Sequence, residues 1–159
     1  MMYDRIIGIG ACDPRGVIGK NGRLPWHYPE EIQHFKETIL NSPLIMGHTT
    51  FLTLPEPYFE KRTTIIFSRQ KHIPTHPNQY FVSSLQEFHS LPDRCKELYV
   101  IGGAQIYSLF IQANLLDACI LTILTRIYEG DTFFPLSLLA GWKEQILKTT
   151  PDFTIYRYT

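Results

Sequence analysis

One carboxylate stands where a carboxylate is costly. From Pro29 the chain reads as a helix to about Leu40, with proline at its first position. Its apolar residues Tyr28, Ile32, Phe35 and Ile39 are spaced four, three and four apart and make one face. Glu31 lies three after Tyr28 and four before Phe35, on or beside that face. Glu30 groups instead with His34 and Glu37 on the polar side. A charge among apolar neighbours must be paired or protonated. Glu31 is therefore a candidate for polar recognition or proton chemistry, against the plainer role of a first-turn acid serving the helix dipole.

A second constellation suits an anion. ELYVI at 97–101 reads as a strand and GAQIYSLFIQA at 103–113 as a helix, with Gly102 and Gly103 at the junction. Paired glycines let backbone approach a ligand, and the helix start offers free N–H groups to a phosphate or pyrophosphate. Gly8 and Gly10 fall inside a strand pattern with no helix after them, so they are not read as a dinucleotide fingerprint, and no P-loop pattern occurs. The segment GVIGKNGRLPW, Gly16 to Trp26, is a long Gly-rich loop with a stiff apolar end at Leu24-Pro25-Trp26, which suits a lid. Basic groups Lys61, Arg62 and Arg69 fall near strand ends, and an Arg at an otherwise apolar site suits bidentate carboxylate binding. His72 and His76 are four apart, but Pro74 and Pro77 deny them a shared helix, so they read as a chance pair in a loop and no metal site is expected.

These groups need a scaffold, and the pattern supplies one. Strands are expected at 5–12, 43–47, 63–68, 80–84, 97–101 and 118–125, with a late antiparallel pair near 142–148 and 153–159. Helices are expected at 29–40, 48–54, 84–90 and 103–113, and 13–27 is expected to be loop. Apolar strands alternating with helices mean α/β with a mostly parallel sheet and an antiparallel edge. The 159 residues suit a single domain with one sizeable core. Lys plus Arg and Asp plus Glu are both 15, which argues against a general nucleic-acid binder. Three cysteines, Cys12, Cys95 and Cys119, with no C-x-x-C pair, argue against a disulfide framework. No apolar leader or spanning stretch is evident, so the cytoplasm is the expected location, and monomer the expected state because nothing marks an interface.

The order of the motifs is more specific than any one of them. GVIGKNGRLPW, PEEIQHFK, PLIMGHTTF, KRTTIIFSR, YVIGGAQIY, then LTILT with EGDTFFP resembles the dihydrofolate reductase family over about residues 5 to 135. The resemblance implies a central, mixed, mostly parallel eight-stranded sheet flanked by helices. It implies NADPH-dependent reduction of 7,8-dihydrofolate to tetrahydrofolate in support of one-carbon and thymidylate metabolism. Dihydrofolate and antifolate inhibitors would be its small-molecule partners.

By the same resemblance Glu31 would bind the pterin N3 and 2-amino groups. Thr122 would bridge Glu31 and the pterin, and Trp26 would hold a water near Glu31. Ile9, Ala11, Ile32, Phe35, Leu54, Ile101 and Tyr107 would line the substrate site, with Arg62 clamping the α-carboxylate of the glutamate tail. Ala11, Ile18, Gly19 and Leu24 would lie along the nicotinamide. Gly102, Gly103, Ala104, Gln105 and Ile106, with Ile101, would cradle the pyrophosphate across a cis Gly-Gly peptide. Gly47, Thr49 and Thr50 would add phosphate contacts, and Ser68, Arg69 and His48 would meet the 2′-phosphate.

The chain also departs from the family pattern. His48 stands where a Lys or Arg usually grips the 2′-phosphate, which shifts that task to Arg69. Phe51 replaces a usual Trp, the stretch from Leu52 to Phe59 is altered, and Glu31 is one methylene longer than the Asp frequent in bacterial members. Two rivals remain at this point. A related reductase acting on a pyrimidine ribosylamine or another pterin would not need Glu31 and Arg62 together. A non-catalytic nucleotide-binding module would explain Gly102-Gly103 and Arg69 but not Glu31.

Overall fold

The computed structural model describes all 159 residues. Its main sheet has eight strands in the order β5-β4-β3-β6-β1-β7-β10-β9. These are β1 (Met2–Cys12), β3 (Leu44–Gly47), β4 (Thr64–Phe67), β5 (Gln79–Val82), β6 (Arg94–Val100), β7 (Ala118–Leu124), β9 (Glu144–Thr149) and β10 (Phe153–Tyr158). The six strands from β5 to β7 run parallel, and β10 enters antiparallel between β7 and β9. The eight-stranded mixed sheet expected from the sequence is thus present.

Strand alternation sorts the side chains onto two faces. Along β1, Ile7 and Ile9 belong to one apolar cluster and Ile6 and Cys12 to the other. The first cluster is covered by α1 (Pro29–Ile39) through Ile39, with Phe51 of α2 (His48–Thr53) at its margin. The second is covered by α3 (Leu85–His89) and α4 (Ala104–Gln112) through Phe88, Tyr107, Phe110 and Ile111. Gly8 and Gly10 have a packing explanation. A Cβ on Gly8 would lie 3.0 Å from Leu116, and one on Gly10 only 2.6 Å from the Tyr107 hydroxyl. They let α4 and its following turn close on β1.

One element departs from expectation. The stretch 13–27 is not all loop: β2 (Val17–Gly19) pairs antiparallel with β8 (Thr132–Phe133) in a separate two-stranded sheet. A three-residue and a two-residue strand carry no readable alternation, so their pairing comes from tertiary context. No helix is long and apolar enough to cross a membrane.

Candidate active site

Four parallel strands deliver the candidate groups to one edge. β4, β3, β6 and β1 lie side by side, and their C-terminal ends carry Ser68 and Arg69, Gly47 and His48, Ile101 to Gly103, and Ala11. Gly47 and Phe67 are register partners, so His48 and Ser68 leave the sheet as neighbours. The Gly47 N–H donates to the Gly102 carbonyl at 2.8 Å, closing the next seam. Three inter-strand steps of about 4.8 Å make a row about 14 Å long. The chain's strand order reverses here, because β6 returns to lie between β3 and β1. Crevices at such reversals, beyond the carboxyl ends of the strands, are where open α/β sheets take nucleotides.

The middle of the row fits a phosphate-bearing cofactor. The Gly102–Gly103 peptide is cis, and Gly102 has φ +126°, a region that favours glycine. A Cβ on Gly103 would sit 3.7 Å from the Thr50 hydroxyl, and one on Gly102 would sit 3.6 Å from it. Helices α2 and α4 start beside each other at Gly47 and Gly103, and neither start has a side-chain cap. The amides at 48–50 and at Ala104 and Gln105 therefore remain donors, with the positive helix ends behind them. Ile106 and Tyr107 instead give their N–H groups to the Gly103 carbonyl.

On the α1 face, Thr122 pairs in register with Ala11 on one side and Ile155 on the other. Thr122 is buried, and Ile9, Ile155 and Trp26 belong to the same apolar cluster, flanked by Ala11, Phe35, Leu54, Tyr58 and Ile101. Glu31 joins this face with only 8% of its surface exposed and no ion pair. Burial pushes its carboxyl up to about 7. The Trp26 indole nitrogen is buried without a hydrogen-bond partner, a donor reserved for a ligand or solvent. Ile32 is half-buried on the same helix.

Arg62 is half-buried and already tethered. Its guanidinium donates to the Ser42 carbonyl at 2.9 Å and to the Leu40 carbonyl. These carbonyls close the C-terminal end of α1, so Arg62 ties that helix end to the start of β4. Two of its five N–H donors are used and the fork is held in one plane. Lys61 is exposed, with φ +53°.

The lid is anchored by a residue the sequence reading passed over. Asp13 is fully buried. It accepts backbone hydrogen bonds from Arg15 at 2.9 Å and Val17 at 2.8 Å through one oxygen, and from Tyr128 at 3.0 Å through the other. Burial pushes its carboxyl up, but those bonds and the Arg15 charge prevail and hold it below the usual range. The D-P-R-G order at 13–16 is an Asx-turn signal that could have flagged it. Further along, Asn21 donates to Asp131 at 3.0 Å, and Asp131 donates to the Gly19 carbonyl at 3.0 Å. Tyr128 packs against Trp26 with ring centroids 5.3 Å apart, and its hydroxyl bonds that of Tyr28. Ile18 is half-buried, whereas Leu24 is 57% exposed and packs in neither cluster.

The family profile described as dihydrofolate reductase matches residues 5–154. The chain belongs to the dihydrofolate reductase family. It is 35% identical over 141 residues to the dihydrofolate reductase of Neisseria meningitidis serogroup A, covering 88% of this chain and 85% of that one. It is 33% identical over 138 residues to that of Mycoplasma genitalium, covering 84% of each. Among solved structures it resembles the dihydrofolate reductase of Enterococcus faecalis complexed with NADP(H) and RAB-propyl. That likeness has a TM-score of 0.78 and 28% identity, over 97% of this chain and 95% of that one.

Two placements in this reductase refine the sequence reading. Tyr107 is buried, and its hydroxyl donates to the Ile9 carbonyl at 2.6 Å, so it supports the β1 backbone from the α4 side of the sheet. His72 is not a chance loop residue. Its ring stacks on that of His48 with centroids 4.3 Å apart, and its Nε2 shares a hydrogen bond of 2.9 Å with the Ser68 hydroxyl. His76 turns away to Glu56, and no group of potential metal ligands is found.

Proposed function

We propose a division of labour among these residues for the NADPH-dependent reduction of 7,8-dihydrofolate. The observation that carries it is Glu31: a buried carboxyl without an ion pair, on the helix that covers the apolar cluster holding Trp26. When bound, NADPH supplies the hydride for the C6=N5 imine of the pterin. The chain's residues bind, orient and manage the proton.

Gly102, Gly103, Ala104 and Gln105, with Thr49 and Thr50, hold the pyrophosphate through backbone N–H groups and hydroxyls. Ser68, Arg69 and His48 take the 2′-phosphate at the far end of the row. Ala11, Ile18 and Gly19 wall the nicotinamide, and the lid keeps bulk water from it. Ile9, Ile32, Phe35, Leu54 and Ile101 wall the pterin and benzoyl groups, and Arg62 clamps the glutamate carboxylate with its remaining N–H donors.

Glu31 receives the pterin N3 and 2-amino hydrogens at its carboxyl oxygens, with the Thr122 hydroxyl bridging. Trp26 Nε1 donates to a water near that carboxyl. N5 accepts a proton as hydride reaches C6, and a water carries it, because N5 lies out of direct reach of Glu31 in this family. Glu31 and the bound pterin act as one titrating pair that keeps this proton available near neutral pH. Orientation of the two rings supplies much of the rate.

The test is loss of absorbance at 340 nm with NADPH and dihydrofolate, run for wild type and Glu31→Gln. Wild type should turn over, and Glu31→Gln should lose most turnover at pH 7 while keeping its fold. Equal turnover by the two would overturn the assignment of Glu31.

A further inference from the structure

The corner where β3 and β4 end holds more titrating chemistry than a single basic side chain would. His48 opens α2 and His72 sits in the loop after β4, yet their rings lie 4.3 Å apart at 26°, close to parallel. The His72 ring is also 4.9 Å from Phe81 of β5, and His48 is 6.1 Å from Phe51 of α2. Phe51 and Phe81 meet edge to face at 5.8 Å behind them. An aromatic wall thus fixes both imidazoles in one place. Both are half-buried, so each keeps an edge toward solvent.

Arg69 and Lys71, on the His72 loop, are exposed. Two acids on other segments are engaged elsewhere: Glu56 holds His76, and Glu87 of α3 accepts from Ser83 at 2.9 Å with Lys71 in range of its charge. No carboxylate pairs with either ring. α2 and β5 contribute Phe51 and Phe81 to the pair's surroundings. Like charges on stacked rings repel, and a dianion beside them offsets that repulsion.

Ser68 makes the coupling chemical. Its hydroxyl oxygen accepts from the Gln70 N–H at 3.2 Å and shares a hydrogen with His72 Nε2. When Nε2 lacks a proton, the Ser68 O–H is spent on it. When Nε2 is protonated it donates to Ser68, and the serine O–H is released to an outside acceptor. From the Nδ1–H tautomer, protonating His72 therefore adds a positive charge and frees a hydroxyl donor together.

We propose that His72 is a further specificity-determining residue, and that His48 and His72 act as one proton-binding pair that reads the phosphate monoester of the cofactor. This rests on the reading that Ser68, Arg69 and His48 receive the 2′-phosphate. NADPH is then bound with proton uptake, and NADH without it. Cofactor selectivity then becomes a function of pH.

The experiment measures Kd for NADPH and NADH at pH 8 and pH 6 in wild type, His72→Phe and Arg69→Ala. Calorimetry of adenosine 2′,5′-bisphosphate and adenosine 5′-monophosphate in two buffers of different ionisation enthalpy counts the protons taken up. His72→Phe keeps the flat ring against His48 and Phe81, so the wall should survive. In wild type the Kd ratio of NADH to NADPH should rise about tenfold between pH 8 and pH 6. In His72→Phe that rise should fall to about threefold or less, with Kd for NADH unchanged and proton uptake on the bisphosphate reduced. Arg69→Ala should lower the ratio at both pH values and keep its pH dependence. If Arg69→Ala lowers the ratio but His72→Phe matches wild type in pH dependence and proton uptake, the pair is refuted and the subsite stands. If neither variant changes the ratio, the subsite reading itself fails.

Discussion

Glu31 is poised at the expense of the protein that carries it. Its folded carboxyl is raised to about 7 by burial, whereas an unfolded glutamate titrates near 4.3. The native state therefore binds the proton more tightly than the unfolded chain. Glu31 does no harm to stability below pH 4, and its penalty grows as pH rises from there through 7. At pH 8 the penalty is of order 3 kcal/mol for a group this buried. Urea titration of the ligand-free enzyme should find Glu31→Gln more stable than wild type at pH 8, with the gap closing by pH 4. Initial rates should show the opposite trade. Wild-type kcat/KM should decline above about pH 7 as the proton held by Glu31 and the pterin together is lost, and Glu31→Gln should lack that inflection and regain rate as pH falls. Arg62 carries a similar double duty, since it grips the end of α1 before any substrate arrives. Arg62→Lys keeps the charge and loses the fork. It should raise KM for dihydrofolate by about 10-fold or more, as expected for a charged hydrogen bond of roughly 1.5–3 kcal/mol, and leave KM for NADPH nearly unchanged. Equal effects on both ligands would remove Arg62 from the folate tail. Glu31 was legible in the sequence because it broke an apolar face. His72 was not, because its partners His48 and Phe81 come from other elements.

At the scale of elements, the long strands and helices were legible and the lid was not. β7 and α4 announce themselves by length and periodicity, whereas β2 and β8 amount to five residues that pair across more than a hundred positions of chain. Asp13 holds this lid to the segment around Tyr128 by backbone bonds to both of its oxygens. Asparagine offers one acceptor oxygen and turns an NH2 toward the remaining N–H donor, so it cannot serve both sides. In Asp13→Asn the lid should detach from residues 125–131 while the sheet persists. Hydrogen exchange should quicken at Val17 and Tyr128 but not in β1 or β7. Turnover should fall more than the affinity for dihydrofolate, with the loss measured as kcat against Kd. Acid should imitate the mutation. The Asp13 carboxyl titrates below its unfolded value of about 3.9, so its contribution is present above that value and is lost as pH falls through the depressed one.

Across the whole molecule, the sheet is assembled out of chain order. β1 lies between β6 and β7, and Met2 pairs with Arg94 and Ile7 with Ala118. The site inherits this arrangement, since Ala11 meets Thr122 and Gly47 meets Gly102 only when distant segments have joined. At the far edge β10 covers β7 with Phe153 and Ile155, both almost wholly buried. A chain ending before Glu144 should therefore lose cooperative unfolding as well as activity, as circular dichroism during heating would show. A growing chain meets the same geometry in time. When the ribosome has made β1 to β5, the apolar strand Ile6-Ile7-Gly8-Ile9 has emerged and neither of its neighbours exists. At about 5–20 residues per second, the interval until β7 is complete lasts about 2–8 seconds. During synthesis this apolar strand stays unpaired until β6 and β7 have been made, an interval in which shielding it would limit aggregation.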